Sequence, residues 1–175
     1  MQLFVNNHSQ WSIDFDVQDN NRKKNALMTS ADCGIVGNVK LLLDQSAELE
    51  LNLNAVDDND IDQTALMLAC KSYNPQVITP FLEGAKAKEI NVDARDNLDR
   101  SAFFHACEQT PYDNQIERLE ILLKMKFAKD LDMDLMARNC EDKTGFDLLS
   151  LETREKLREK FPCSVPNEET LFSDQ

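Results

Sequence analysis

Two runs of alternating aspartates are the residues whose type and spacing best suit a metal ion. They are Asp58, Asp60 and Asp62 in the first run and Asp130, Asp132 and Asp134 in the second. A twelve-residue calcium loop also needs a turn glycine at position six and a glutamate at position twelve. The first run has neither residue. The second reaches Glu141 at position twelve, but Leu135 replaces the glycine. We therefore predict no metal, and keep a calcium-responsive sensor or an enzyme using the 130–141 acidic loop as an alternative function.

His105 and Cys107 are the closest histidine–cysteine pair in the sequence. On a helix, residues two apart point to different faces, so this pair is badly placed for a nucleophile and its base. His105 takes the place that Leu68 holds in an earlier, similar segment, which predicts a half-buried structural histidine. With four glycines there is no phosphate-binding loop or dinucleotide fingerprint. We predict that the protein has no catalytic residue, binds no cofactor and is not an enzyme.

Charge and cysteine spacing narrow the class of partner and compartment. A formal net charge of −13 disfavours nucleic acid and anionic membranes, and it favours a protein partner with a basic surface. No apolar run approaches the roughly 20 residues that span a bilayer, and no basic start followed by an apolar stretch marks a secretory signal. The cysteines match no disulfide or metal motif. We therefore expect reduced thiols, a cytoplasmic location and a monomer.

Four segments repeat one pattern along the chain. They begin at Asn25, Thr64, Ser101 and Thr144, and each places small and apolar residues after a polar one. The starts of the four segments lie 39, 37 and 43 residues apart. A period in the thirties to low forties is typical of stacked repeats, in which each unit buries its apolar face on the next. We predict helix caps at Asn25, Thr64 and Ser101. We predict helices near 26–31, 39–43, 64–70, 76–82 and 116–124, with a last helix near 151–161. The predicted core residues are Leu66, Val77, Phe81, Leu82, Phe103, Leu119 and Leu122.

Residues 91–107 and 136–146, with 39–47 for a second helix and its exit, resemble the ankyrin repeat family. The resemblance implies an all-α, ankyrin-repeat solenoid of stacked helix-turn-helix units with hairpin-like loops. It covers 15–161, with units starting near 20, 59, 96 and 139. Residues 1–14 are then an N-terminal cap or extension, and 162–175 an acidic, flexible tail. Where the family has a turn glycine, this chain has Asp62, Asp99 and Asp142, and aspartate tolerates a left-handed backbone.

The resemblance also implies that a partner contacts the loop tips and the exposed face of each first helix. The candidate partner-binding residues are Asp58, Asp60, Ile61, Gln63, Lys71, Arg95, Asn97, Leu98, Arg100, Glu108, Gln109, Tyr112, Glu141 and Lys143. Ile61 and Leu98 take the same tip position in neighbouring units. They either form an apolar binding centre or brace the loops against each other. Tyr112 is the aromatic anchor candidate.

These features predict a non-catalytic protein–protein interaction module, acting as an adaptor or inhibitor. One alternative is an effector of a pathogen or virus that binds a host protein in the host cytosol. The other is the calcium-responsive sensor or enzyme already named for the 130–141 loop.

Overall fold

The regular structure is helical in the part of the chain that the structure describes. The computed structural model describes residues 1, 7, 13–58, 61–84, 86–111, 114–129 and 131–166. Within these ranges there are helices and two isolated antiparallel bridges, Val56 with Thr64 and Arg138 with Thr144. This confirms the all-α class. Over the same ranges, no helix combines the length and the apolar character that a bilayer crossing requires.

Seven α-helices follow one another in the described part of the chain. They are α1 (Ala26–Asp32), α2 (Val36–Asp44), α3 (Ala65–Lys71), α4 (Thr79–Glu83), α5 (Ala102–Cys107), α6 (Gln115–Lys129) and α7 (Leu151–Lys160). Short 3-10 turns cover Pro75–Ile78, Ala87–Glu89 and Gly145–Leu148. The helix predicted over 76–82 is thus a 3-10 turn that runs into α4. Pro80 lies in the first turn of α4, where its missing N–H is not needed.

The three predicted helix caps are confirmed. Asn25, Thr64 and Ser101 have extended backbone, and each side-chain oxygen accepts the N–H three residues ahead, at 2.9, 3.4 and 3.2 Å. Such caps satisfy an otherwise unpaired helix donor. At Thr144 the pattern differs, because Asp147 accepts the Thr144 N–H and hydroxyl, and a 3-10 turn replaces the α-helix.

The helices form two packed rows. The first row contains α1, α3, α5 and the Gly145–Leu148 turn, and the second contains α2, α4 with its leading 3-10 turn, α6 and α7. The core lies between and within the rows. All seven predicted core residues are buried, with at most 3% of their surface exposed.

A hydrogen-bonded ladder that the sequence analysis missed links successive helix pairs. The side chains of Asp16, Asn54 and Asp93 accept the backbone N–H of Asn52, Asn91 and Asp134 at 2.7, 2.8 and 2.9 Å. Each acceptor follows a buried apolar residue: Phe15, Leu53 or Val92. In the fourth occurrence Met136 stands where the acceptor would be. Because methionine has no carboxylate or amide oxygen, the ladder does not continue at Met136.

The left-handed turn positions are confirmed. Asp62, Asp99 and Asp142 have φ of 58°, 58° and 62°, and Lys23 has φ of 56° at the matching place in the first loop. Aspartate carries this conformation better than most residues that have a Cβ.

We expect Asp142→Val to destabilise the fold by about 1–2 kcal/mol, because a β-branched residue is strained at positive φ. Asp142→Gly should be neutral or stabilising by up to about 1 kcal/mol, since glycine adopts this backbone freely. Urea denaturation followed by circular dichroism measures both. Equal stability of the two variants would contradict the conformational argument.

The structure describes only part of the two terminal segments. Ser164 and Val165, inside the predicted tail, are buried, and Arg158 Nη2 donates to the Pro166 carbonyl at 2.6 Å. Residues 167–175 lie outside the described residues, as do Asp130 and most of the predicted 1–14 cap.

Candidate functional site

We call the loops at 19–24, 57–63, 96–100 and 139–143 the first to fourth tips. Backbone hydrogen bonds join each tip to the next. The N–H of Asp58 donates to the Lys23 carbonyl at 3.2 Å, that of Asn97 to Ile61 at 3.1 Å, and that of Cys140 to Leu98 at 3.0 Å. Each tip is therefore fixed against the next. The four tips form one continuous edge beside the first row of helices.

A carboxylate or amide oxygen braces the base of every tip. The bracing residues are Asp19, Asp57, Asp96 and Asn139, whose side chains accept backbone N–H groups of their own loops. These contacts are Asx-type turns, which explain a high aspartate content without a metal. In the described residues no three histidine, cysteine, aspartate or glutamate side chains are grouped to hold an ion.

A groove between the third and fourth tips brings six of the predicted binding residues together. They are Leu98, Arg100, Glu108, Gln109, Glu141 and Lys143, and the remaining lining residues are Phe104, Asn139, Cys140 and Leu148. The groove has a volume of about 380 Å³. Leu98 is 41% exposed at its mouth, whereas Phe104 is buried. The groove thus combines apolar walls with a charged rim.

The other predicted residues that the structure describes lie along the tips or beneath them. Asp58, Ile61, Arg95 and Asn97 are exposed, and Lys71 is half-buried at the end of α3. Gln63 does not lie on the surface. Its N–H donates to Asp57 and its amide lies 3.3 Å from His105 Nε2. Asp60 and Tyr112 lie outside the described residues.

The charges on the groove rim are paired within the chain. Arg100 Nε donates to Asp96 at 2.9 Å, and its Nη1 donates to Glu108 at 2.9 Å. Lys143 Nζ donates to Glu141 at 2.8 Å. The rim is therefore close to neutral, so the basic partner predicted from the net charge finds no acidic patch in the groove itself.

His105 is buried, not half-buried as the sequence suggested. None of its surface is exposed, its Nε2 lies 3.0 Å from Asp96 Oδ2, and its Nδ1 lies 3.0 Å from Glu108 Oε2. Its neighbours in sequence are apolar. The polar partners come from the preceding loop and from the residue that ends α5. The signal available in the sequence was a pair of carboxylates nine residues before and three residues after the histidine.

The two carboxylates are held in their ionised form. Burial raises the pKa of Asp96, but hydrogen bonds from His105, Arg100 and the Leu98 N–H outweigh it and keep the pKa well below its ordinary value. Burial likewise opposes ionisation of Glu108, and His105, Arg100 and Lys71 lower its pKa overall.

Arg118 is a second buried polar residue that the sequence analysis passed over. Its side chain on α6 is fully buried, with Nη1 donating to the Cys70 carbonyl at 2.7 Å and Nη2 to the Glu108 carbonyl at 2.8 Å. These carbonyls lie at the C-terminal ends of α3 and α5. A cation there also suits the negative end of each helix dipole. One guanidinium thus ties two first-row helices to the second row.

The buried cysteines are unsuited to nucleophilic chemistry. Burial raises the pKa of the Cys70 thiol to about 12, and that of Cys107 well above its ordinary value. A protonated thiol is a poor nucleophile. Gly145 lies against Cys107, where an added Cβ would be 2.8 Å from the sulfur.

No protein-family model matches the chain, and a search of curated proteins finds no significant match.

Proposed function

We propose that the chain is a non-catalytic protein-binding module of the ankyrin-repeat type. The spaced helix pairs, the capped short helices and the left-handed residue in each tip support this proposal. So does the complete burial of the side chains of His105, Cys70 and Cys107. Stacked repeats of this kind present an extended surface whose shape is set by the whole array.

We place the binding surface on the joined tips, with its centre at the groove between the third and fourth. The observation that carries this is the convergence of six predicted residues on one groove. Leu98 projects at its mouth and internally paired charges surround it. An apolar centre with a polar rim is the usual anatomy of a protein interface. The backbone bonds between tips reduce the ordering cost of binding.

Aspartates at positions 61 and 98 test the surface. We expect the double variant Ile61→Asp with Leu98→Asp to lose capture of partners from a lysate of the cells that make the protein. Both side chains are exposed at the tips, 36% and 41%, so the melting temperature should change little. Quantitative mass spectrometry of cross-linked eluates measures capture. A charge placed in an apolar interface centre costs binding strongly.

The matched control carries aspartate at Val17 and Leu151, each 64% exposed and apolar. It should capture the same proteins as the unmodified chain. If the control loses capture and the tip variant keeps it, the binding surface lies elsewhere. If the tip variant unfolds, Ile61 and Leu98 brace the loops.

A further inference from the structure

The buried ring of His105 contacts Glu108, which lines the groove, and Asp96, which is buried and does not line it. We propose that His105 carries both ring protons and thereby holds the Glu108 side chain in place at the groove rim, as a positioning residue for the binding surface. The inference rests on the proposed function only in treating the groove as a binding site.

The hydrogen-bond inventory of the site requires both protons. An ionised carboxylate only accepts hydrogen bonds, so a ring nitrogen facing one must carry hydrogen. Nε2 faces Asp96 and Nδ1 faces Glu108, each at 3.0 Å, and none of the ring surface is exposed to water. A neutral ring would direct a lone pair at one carboxylate.

Charge balance points the same way. With both protons on His105, its charge and that of Arg100 cancel those of Asp96 and Glu108, all within one contacting cluster. With one proton, the two carboxylates lose the positive charge of the ring, and Arg100 is then the cation that contacts both of them. Lys71 and Arg118 are the further cations near Glu108.

Gln63 completes the surroundings of the ring. Its amide nitrogen lies 3.3 Å from Nε2, so a protonated ring requires the amide group to be turned over and to present its oxygen instead. The two ends of an amide are nearly equal in size, so this orientation needs no movement of the backbone.

The consequence for the groove is the position of Glu108. Its two oxygens are turned inward, Oε1 to Arg100 at 2.9 Å and Oε2 to His105 at 3.0 Å. Loss of the Nδ1 proton removes the second of these bonds and frees the carboxylate to turn into the groove. The rim would then gain a negative charge beside Leu98, which disfavours an apolar partner group.

Nitrogen-15 NMR of the unmodified chain tests the protonation directly. The sequence has two histidines, and a His8→Gln variant assigns the signals of His105. Near neutral pH we expect both ring nitrogens of His105 to resonate as protonated nitrogens. One unprotonated ring nitrogen, with Asp96 and Glu108 ionised, would overturn the proposal.

Carboxylate labelling tests the positioning. We expect His105→Leu to make Glu108 react several-fold faster with a water-soluble carbodiimide, with His105→Gln between it and the unmodified chain. The exposed Glu141 serves as the internal control and should not change. If His105→Leu is folded and the labelling of Glu108 is unchanged, the positioning role is overturned. If His105→Leu unfolds, the NMR measurement on the unmodified chain decides. Both measurements use the free chain, so a failed capture experiment and a failed His105 experiment are separate results.

Discussion

Replacing Arg118 with alanine is expected to destabilise the folded chain by about 3–5 kcal/mol. The change leaves the carbonyls of Cys70 and Glu108 without their guanidinium donors, and it opens a cavity where a fully buried side chain stood. Each orphaned buried acceptor costs on the order of 1–3 kcal/mol. Because the two carbonyls belong to successive first-row helices, the loss loosens α3 and α5 together.

Arg118→Met separates packing from hydrogen bonding. Methionine fills most of the volume of the arginine stem, so its remaining cost of about 2–3 kcal/mol reports the two unpaired carbonyls. Lys124→Ala, an exposed position on the same helix, is the control and should stay within about 0.5 kcal/mol of the unmodified chain. Urea denaturation supplies all three values. A methionine variant as stable as the unmodified chain would show that desolvating the guanidinium cancels its bonds.

The second large effect is expected at Asp96. Asp96→Asn removes one carboxylate from a buried cluster and leaves His105 and Arg100 short of an ionised acceptor. Breaking a buried ion pair in this way costs about 3–5 kcal/mol. Asn139 supplies the matched control, because it braces the fourth tip with the same two backbone bonds but has no histidine beside it. Asn139→Asp should change stability by less than about 0.5 kcal/mol.

The Asp96 contribution should also depend on acid. Its pKa in the folded chain is below the ordinary aspartate value, so the stability it confers is present above about pH 4 and is lost as the pH falls. The stability difference between the unmodified chain and Asp96→Asn should therefore shrink steadily below pH 4. A difference that stays constant down to about pH 2 would contradict an ionised Asp96 in the fold.

Local features of the fold could be predicted from the sequence where the physics is local. Caps at Asn25, Thr64 and Ser101, and positive φ at the tip aspartates, depend on residues within a few positions and were confirmed. The mixed 3-10 and α character around Pro80 was not resolved, since it depends on how two prolines share one short segment.

The site was harder to predict because its polar core is assembled across distance. Arg118 reaches the Cys70 carbonyl 48 positions away, and a single arginine within an amphipathic helix has the pattern of a solvated residue. Gln63 lies in a polar loop, yet its own N–H donates to Asp57 and its side chain turns inward to the His105 ring. Sequence spacing did not show which side chains of these loops point inward.

Hydrogen–deuterium exchange of the chain with a captured partner is the most direct test of a binding surface on the joined tips. We expect slower exchange on binding in the loops at 95–100 and 138–143, and little change in α2 (Val36–Asp44) or α7 (Leu151–Lys160). Protection confined to α2, α4 and α7, with the two loops unchanged, would contradict a binding surface on the joined tips.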